Sequence, residues 1–195
     1  MPELLTVVLD SCVLIPSRLR DYLLSLAAVR CYRPVWNDVI LGEIAYGERM
    51  RHQRFGLSKT ESRRLANTVI ERMTMVFDDS MIDNWQPLEG SFGLRDPNDE
   101  HAVATAVVAH ASVIVTTNLG HFPAPVMPAG IQAVGPADFT ARIARTLPDP
   151  AVTALLEMSA RLRNPVMSPS DLLDYFDNHY QMNEATAVLR HRLPK

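Results

Sequence analysis

The chain has 195 residues, a formal net charge of −3 and 47% hydrophobic residues, which is typical of one globular domain with a small addition. This charge excludes a global attraction for nucleic acid, so a nucleic-acid partner would need local basic patches. Two cysteines exclude a secreted disulfide scaffold, and the sequence shows neither a signal peptide nor an apolar run of membrane-span length, so we expect a cytoplasmic protein with no membrane partner.

Strands and helices are predicted to alternate along the first three quarters of the chain. Apolar runs predict strands, in chain order, at residues 4–9, 32–36, 113–116 and 131–134. Helical spacing of apolar residues, with capping residues at the starts, predicts helices over 17–28, from 37 or 38 to 55, and over 58–77, 96–111 and 136–145. Turns and loops are expected at 10–12, 78–95 and 118–130. Strands that alternate with helices predict a parallel sheet.

The last quarter of the chain has a different, purely helical pattern. A proline-rich segment, 147–150, predicts a boundary, so we expect an α/β domain over 1–146 and a helical extension over 147–195. Short amphipathic helices are predicted at 151–162, from 168 onward and at 183–191. They are too small to form a core of their own, so they are expected to pack on the first domain or on a partner.

Polar side chains follow two of the predicted buried strands. Asp10 ends the first of these strands, and Asn118 follows the other. Glu43 lies in a predicted helix, while Asp96 and Asp99 begin another. Because ligands of open α/β sheets bind at the carboxyl ends of the strands, we expect these acids to share one crevice. Carboxylates so close together repel each other unless a cation lies between them, which predicts a divalent-metal site suited to phosphate-ester hydrolysis.

Each acid also has an ordinary structural explanation. Aspartate is common in turns, which explains Asp10. Asp96 and Asp99 on either side of a proline are a typical helix start. Glu43 borders the apolar face of its helix and needs a partner there, whereas Glu48 is expected to be solvated. These explanations do not account for acids at all of these positions together. The sequence therefore favours the shared site.

Other phosphate chemistries fit the sequence less well. Haloacid-dehalogenase-type phosphatases need a second Asp two residues after the first, and Cys12 occupies that position. A receiver-type signalling domain needs a lysine after the last core strand, and none follows. There is also no glycine-rich phosphate loop with lysine and no His-Glu-x-x-His pair.

Four segments, in this order, resemble the PIN-domain ribonucleases, particularly the VapC-type toxins of bacterial toxin–antitoxin pairs. These segments are 7–14, 33–36 leading into Glu43, 96–106 and 113–123. The resemblance spans roughly residues 4 to 140. It implies a three-layer α/β/α fold with a central, mostly parallel sheet, followed here by the helical extension.

The resemblance also implies a set of site residues. The catalytic acids of the family fall on Asp10, Glu43 and Asp99, and Asp96 is a further acid that many relatives share as a metal ligand. The last family position lies in the loop after the final core strand, where Asn118 matches but His121 replaces a frequent Asp. The supporting residues implied here are Ser11, Thr116 and Asn118.

The implied function is that of an endoribonuclease that depends on Mg²⁺ or Mn²⁺ and cleaves RNA. The implied partners are a cognate antitoxin and a second copy of the chain in a homodimer. The basic residues proposed for RNA contact lie on the first two long helices and are Arg18, Arg20, Arg49 and Arg51. Two alternatives stay open: a PIN-type RNA-processing nuclease without an antitoxin, and a catalytically weak PIN-fold module that binds RNA or protein.

Overall fold

A four-stranded parallel sheet forms the centre of the molecule. The structure is a computed structural model and describes residues 4–193. Its strands are β1 Thr6–Leu9, β2 Arg33–Val35, β3 Val113–Val115 and β4 Gln132–Val134. The order is β2-β1-β3-β4, and all three pairs of neighbours are parallel. The predicted parallel sheet is therefore confirmed, although each strand is slightly shorter than predicted.

Helices make up most of the remaining described chain. They are α1 Ser11–Leu14, α2 Ser17–Ala28, α3 Asp38–Arg54, α4 Lys59–Val76, α5 Glu100–Val108, α6 Pro136–Thr146, α7 Pro148–Arg161, α8 Pro169–Tyr180 and α9 Asn183–Arg190. The predicted turn at 10–12 is wrong, because α1 begins directly after the first strand. The helix predicted over 96–111 is shorter than expected and follows a 3-10 turn at Pro97–Asp99.

The central strands are buried on both faces. Successive residues of a strand point to opposite sides, yet Val7, Val8 and Leu9 of β1 have no exposed surface. In β3 the exposed fraction is at most 2% for Val113 and zero for Ile114. Layers of helices must therefore cover both sides of the sheet, as expected for the α/β/α arrangement.

Asn37 fixes the start of α3 and joins it to α5. Its side-chain oxygen accepts a hydrogen bond of 2.8 Å from the backbone N–H of Ile40, which makes it the N-cap. Its amide nitrogen donates 2.9 Å to Thr105 Oγ1 and 3.3 Å to the carbonyl oxygen of His101. The side chain is fully buried, so one residue both begins α3 and sets its position against α5.

A buried ion-pair network joins α2 and α3. Glu48 has no exposed surface, and its carboxylate accepts hydrogen bonds from Arg20 at 2.7 Å and Arg51 at 2.5 Å. His52 Nε2 lies 3.5 Å from the same carboxylate. The prediction that Glu48 is solvated is therefore wrong. A carboxylate this deep in the protein persists because cations from two helices surround it.

The C-terminal helices pack on the α/β part of the chain. Phe176 of α8 stacks on Tyr22 of α2 with a ring-centroid distance of 4.7 Å, and neither side chain is more than 1% exposed. Arg161 of α7 donates 2.6 Å to Ser25 Oγ on α2. The extension thus shares one continuous core with the sheet and its helices.

Within the described range, 4–193, no helix is long and apolar enough to cross a membrane. Cys12 and Cys31 are both free thiols.

Candidate metal centre

The carboxyl ends of β1 and β3 are joined through Asp10. Its Oδ2 atom accepts a hydrogen bond of 2.7 Å from Thr116 Oγ1 and one of 3.1 Å from Cys12 Sγ. Asp10 is 5% exposed and Thr116 is fully buried. One carboxylate oxygen of Asp10 is thus held by neighbours, which orients the side chain at the edge of the sheet.

Asp96 and Asp99 lie on the turn that leads into α5. Asp96 caps this turn, because its Oδ1 atom accepts hydrogen bonds of 3.0 Å from both the backbone and the side-chain nitrogen of Asn98. Pro97 occupies the first position of the turn, as the helix-start pattern predicts. Asp99 occupies the N-cap position of α5 but makes no side-chain capping hydrogen bond, and its Oδ2 atom lies 2.7 Å from His121 Nδ1. The capping role therefore explains Asp96 and leaves Asp99 available for another purpose.

Asp96, Asp99 and His121 form a group that can hold a metal ion. Each offers one ligand atom, and these atoms all lie within 4.8 Å of one another. Burial raises the pKa of Asp99, as do the negative charges of Asp96 and Asp10, against the lowering effect of the His121 hydrogen bond. Asp10 has the smallest of these influences, and it lies outside the three-residue group. Two carboxylates and an imidazole suit a divalent cation.

Glu43 lies to one side of this group. Its Oε1 atom is 4.0 Å from Nε2 of His101, and its side chain is 42% exposed. His101 is buried near the start of α5, beside Asn37. Glu43 therefore faces the helix that begins just after Asp99, but it does not belong to the three-residue group.

The supporting residues occupy different positions around Asp10. Thr116 contacts Asp10 directly, and it also accepts a 3.0 Å hydrogen bond from the backbone N–H of Asn118. Asn118 itself is exposed, and Ser11 is buried in the first turn of α1. Burial and the charge of Asp10 raise the pKa of the Cys12 thiol, which therefore stays protonated and donates to that carboxylate.

Glu100 points away from the cluster although it follows Asp99 directly. Its carboxylate accepts backbone hydrogen bonds of 2.9 Å from Gly93 and 3.1 Å from Leu94. Burial alone would raise the pKa of Glu100, but the backbone donors outweigh it and the pKa is lowered. Glu100 therefore holds the loop before the site in place as a carboxylate, without facing a metal.

The four arginines proposed for RNA contact fall into two groups. Arg20 is only 6% exposed and bonds Glu48 and the carbonyl oxygen of Leu14, so it cannot serve an RNA phosphate. Arg51 is bound to the same Glu48 carboxylate. The prediction is corrected for Arg20, which is buried against Glu48, whereas Arg51 has a side chain that is 35% exposed and stays a prediction. Arg18 and Arg49 are partly exposed and form no ion pair within residues 4–193.

The comparisons with known proteins agree with this architecture. The sequence profile of the PIN domain family matches residues 6–120, more than half of the chain, so the chain belongs to the PIN domain family. It is also similar to a Mycobacterium tuberculosis protein named "Putative ribonuclease VapC50", with 38% identity over 77 residues, which are 39% of this chain and 46% of that protein. The match thus spans about half the length of that relative. No solved structure matches the chain significantly. The resemblance to VapC-type PIN proteins is confirmed.

His121 is the site residue that the sequence pattern did not identify. The loop position and the exposed side chain, 46% accessible, are typical of a surface histidine. His121 and Asp99 are 22 residues apart in the sequence, so a local sequence pattern does not predict their contact. The available signal was its place in the family pattern, where relatives often carry an acid.

Proposed function

We propose that this protein is a metal-dependent endoribonuclease and the toxin of a toxin–antitoxin pair. The observation that carries the proposal is the group of Asp96, Asp99 and His121, whose ligand atoms lie within 4.8 Å of one another. Like charges in such a group repel each other, and a bound cation relieves that repulsion. Membership of the PIN domain family and the name of the relative in Mycobacterium tuberculosis point to the same activity.

The proposed metal ligands are Asp10, Asp96, Asp99 and Glu43, with His121 as an additional ligand. A divalent cation supplies charge neutralisation at the scissile phosphate and lowers the pKa of attacking water. Thr116 and Cys12 hold one oxygen of Asp10, and the other oxygen is the proposed ligand atom.

The donor set bears on which cation binds. Mg²⁺ prefers oxygen ligands in a strict octahedron, whereas Mn²⁺ accepts imidazole nitrogen more readily. Because His121 takes the position that an acid often has, we propose that both ions support activity and that Mn²⁺ does so better.

The proposal extends to domain organisation and partners. Residues 1–146 are assigned to the nuclease domain and 147–195 to the extension, in a cytoplasmic homodimer that a cognate antitoxin inhibits. Large apolar side chains are exposed on the α3–α4 hairpin, with exposed fractions of 77% for Phe55 and 79% for Met75. Phe55 lies at the turn of the hairpin and Met75 near the other end of α4, so each is proposed as a separate apolar contact for a partner.

The test is cleavage of single-stranded RNA by the purified chain in Mg²⁺, Mn²⁺ or EDTA. Asp10→Asn and Asp99→Asn are expected to abolish cleavage and to raise the melting temperature in EDTA, because each removes one charge from a repelling group. Added Mn²⁺ should reduce or reverse that gain, since the cation stabilises the wild-type native state. Asp83→Asn, which removes an exposed carboxylate elsewhere, is the matched control. Wild-type cleavage rates in the two site variants would contradict the assignment.

Two further assays separate the alternatives. Growth arrest on expression, relieved by the product of a small neighbouring gene, identifies a toxin, whereas a nuclease without an antitoxin gives no such rescue. Binding of RNA without metal-dependent cleavage would identify a binding module that keeps the fold alone.

A further inference from the structure

One face of α3 runs from Glu43 towards the turn between α3 and α4. Tyr46 and Met50 follow Glu43 by three and seven residues, so they lie on nearly the same face of the helix. They are displaced along the axis by about 4.5 and 10.5 Å at 1.5 Å per residue. This face therefore leads away from the proposed metal centre over a distance comparable to a few nucleotides.

A cationic cavity of about 470 Å³ lies at the end of this face. It is open to solvent, and its lining comes from both helices of the hairpin: Arg49, Met50, Gln53, Lys59, Thr60 and Arg63. Three of the six residues are cations, and none is an acid. The cavity also lies at the N-terminal end of α4, where the helix dipole adds partial positive charge.

The cations of this cavity lack the counter-charges that their neighbours have. Arg51 on the same helix is paired with Glu48, and Arg64 on α4 is paired with Glu61 at 2.6 Å. Within residues 4–193, by contrast, Arg49, Lys59 and Arg63 form no ion pair. Like charges around one cavity repel each other, and a bound anion removes that repulsion.

Tyr46 places an aromatic ring between Glu43 and the cavity. The residue is 57% exposed, and the guanidinium carbon of Arg49 lies 5.1 Å from its ring centroid. An exposed tyrosine beside an unpaired cation is typical of surfaces on which unpaired bases stack while the cation contacts the backbone.

We propose that this face of α3 is the path of a single-stranded RNA substrate. One base stacks on Tyr46, and a phosphate several ångströms further along the strand occupies the cavity of Arg49, Lys59 and Arg63. A single strand is required because a base stacks on a side chain only when it is not paired within a duplex. This inference rests on the proposed ribonuclease function and specifies which surface holds the substrate.

The test measures binding of a fluorescent single-stranded RNA by the full-length wild-type protein in EDTA, where cleavage does not occur. The logarithm of the association constant falls with the logarithm of the salt concentration. In the double variant Lys59→Gln/Arg63→Gln this fall should be less steep by about 1.4, or about 0.7 for each lost phosphate contact. The matched control replaces two exposed arginines elsewhere, Arg142 and Arg163, by glutamine and should keep the wild-type slope.

The role of Tyr46 is tested in the same assay. Tyr46→Ala should weaken binding by about 5- to 150-fold, the loss of one stacked base, whereas Tyr46→Phe should bind like the wild type. A duplex of the same sequence should bind equally to the wild type and to Tyr46→Ala. Equal melting temperatures of all variants establish that the fold is intact.

Each outcome decides the inference separately from the proposed function. The inference is overturned if the Lys59/Arg63 variant has the same salt dependence as its control, or if the wild-type protein binds no single-stranded RNA. It is also overturned if the variant loses antitoxin binding but keeps wild-type RNA binding. The last result would assign the cavity to an acidic protein segment. If binding depends on Tyr46 and Lys59 but no RNA is cleaved with Mn²⁺, the path stands and the ribonuclease proposal fails.

Discussion

Replacement of Glu48 by glutamine is expected to destabilise the protein strongly, although the residue is far from any proposed ligand. Glu48 is the carboxylate that neutralises Arg20, a side chain with only 8% of its surface exposed. In Glu48→Gln the guanidinium stays buried and keeps its 2.9 Å bond to the carbonyl oxygen of Leu14. It loses its close counter-charge and retains only Asp21, a 41% exposed carboxylate 4.0 Å away. Arg51, which is 35% exposed, can turn towards water. The loss therefore concerns mainly Arg20.

The magnitude follows from the cost of an uncompensated buried charge. Removal of one partner of a buried ion pair costs about 3–5 kcal/mol. Glutamine retains the shape and one acceptor oxygen, so we expect about 3 kcal/mol, at the lower end of that range. For a chain of this size, about 2–4 °C of melting temperature corresponds to 1 kcal/mol, so the expected decrease is about 6–12 °C.

Thermal and urea unfolding of Glu48→Gln and of a control variant, Glu61→Gln, measure the effect. Glu61→Gln is the matched control, because Glu61 also pairs with an arginine three residues later but lies on the surface. The control should melt like the wild type. Replacing Arg20 and Glu48 together by methionine should restore much of the stability that Glu48→Met loses, since no buried charge is left alone. If Glu48→Gln melts within error of the Glu61 control, the buried-charge argument is refuted.

Three other measurements address the proposed metal site, the C-terminal extension and the Cys31 thiol. His121→Asp should lower the ratio of Mn²⁺- to Mg²⁺-supported cleavage by about tenfold, or about 1.4 kcal/mol, because it replaces nitrogen by oxygen. Phe176→Ala should destabilise the whole protein by about 3–5 kcal/mol in urea unfolding, since its ring is fully buried against Tyr22. Burial raises the pKa of Cys31 from 9.0 to about 11, so its alkylation should be slow at neutral pH. The contribution of this buried neutral thiol to stability should be lost as the pH rises from about 9 through about 11.

Controls for these measurements come from exposed positions and from the unfolded chain. Val166→Ala, at a residue 74% exposed, should leave stability within about 0.5 kcal/mol of the wild type. An unchanged metal preference in His121→Asp would remove His121 from the ligand set. Local rather than global unfolding of Phe176→Ala would show that the extension has its own stability. Equal alkylation rates of Cys31 in the native protein and in urea would contradict its burial.

Local sequence patterns were sufficient for most of the secondary structure. The helix predicted over 17–28 is observed with the same bounds, Ser17–Ala28, because its apolar spacing and its ends depend on neighbours along the chain. Ser58 caps α4 as predicted, with its hydroxyl accepting 3.2 Å from the backbone N–H of Glu61. The turn predicted after β1 failed, because a four-residue helix contains too few residues to show a helical period.

The contacts between distant residues were not accessible in this way. Glu48 looked like a solvated helical acid, yet its partner Arg20 lies 28 residues earlier and brings it into the interior. The sequence left open whether the apolar stripe of the extension packs on the first domain or on a partner, and the structure shows that it packs on α2 of the same chain. A one-dimensional pattern shows that a side chain is charged or apolar, but not which surface it meets after folding.

The candidate site divides in the same way. The order and spacing of Asp10, Asp96 and Asp99 were enough to propose a metal site in a parallel α/β fold, because strand ends and helix starts are local features that topology brings to one edge. The contribution of His121, the hold of Thr116 on Asp10 and the position of Glu43 beside His101 emerged from folding. Those details depend on how separate elements pack, because residues far apart in the chain become neighbours through the buried core and not through their spacing in the sequence.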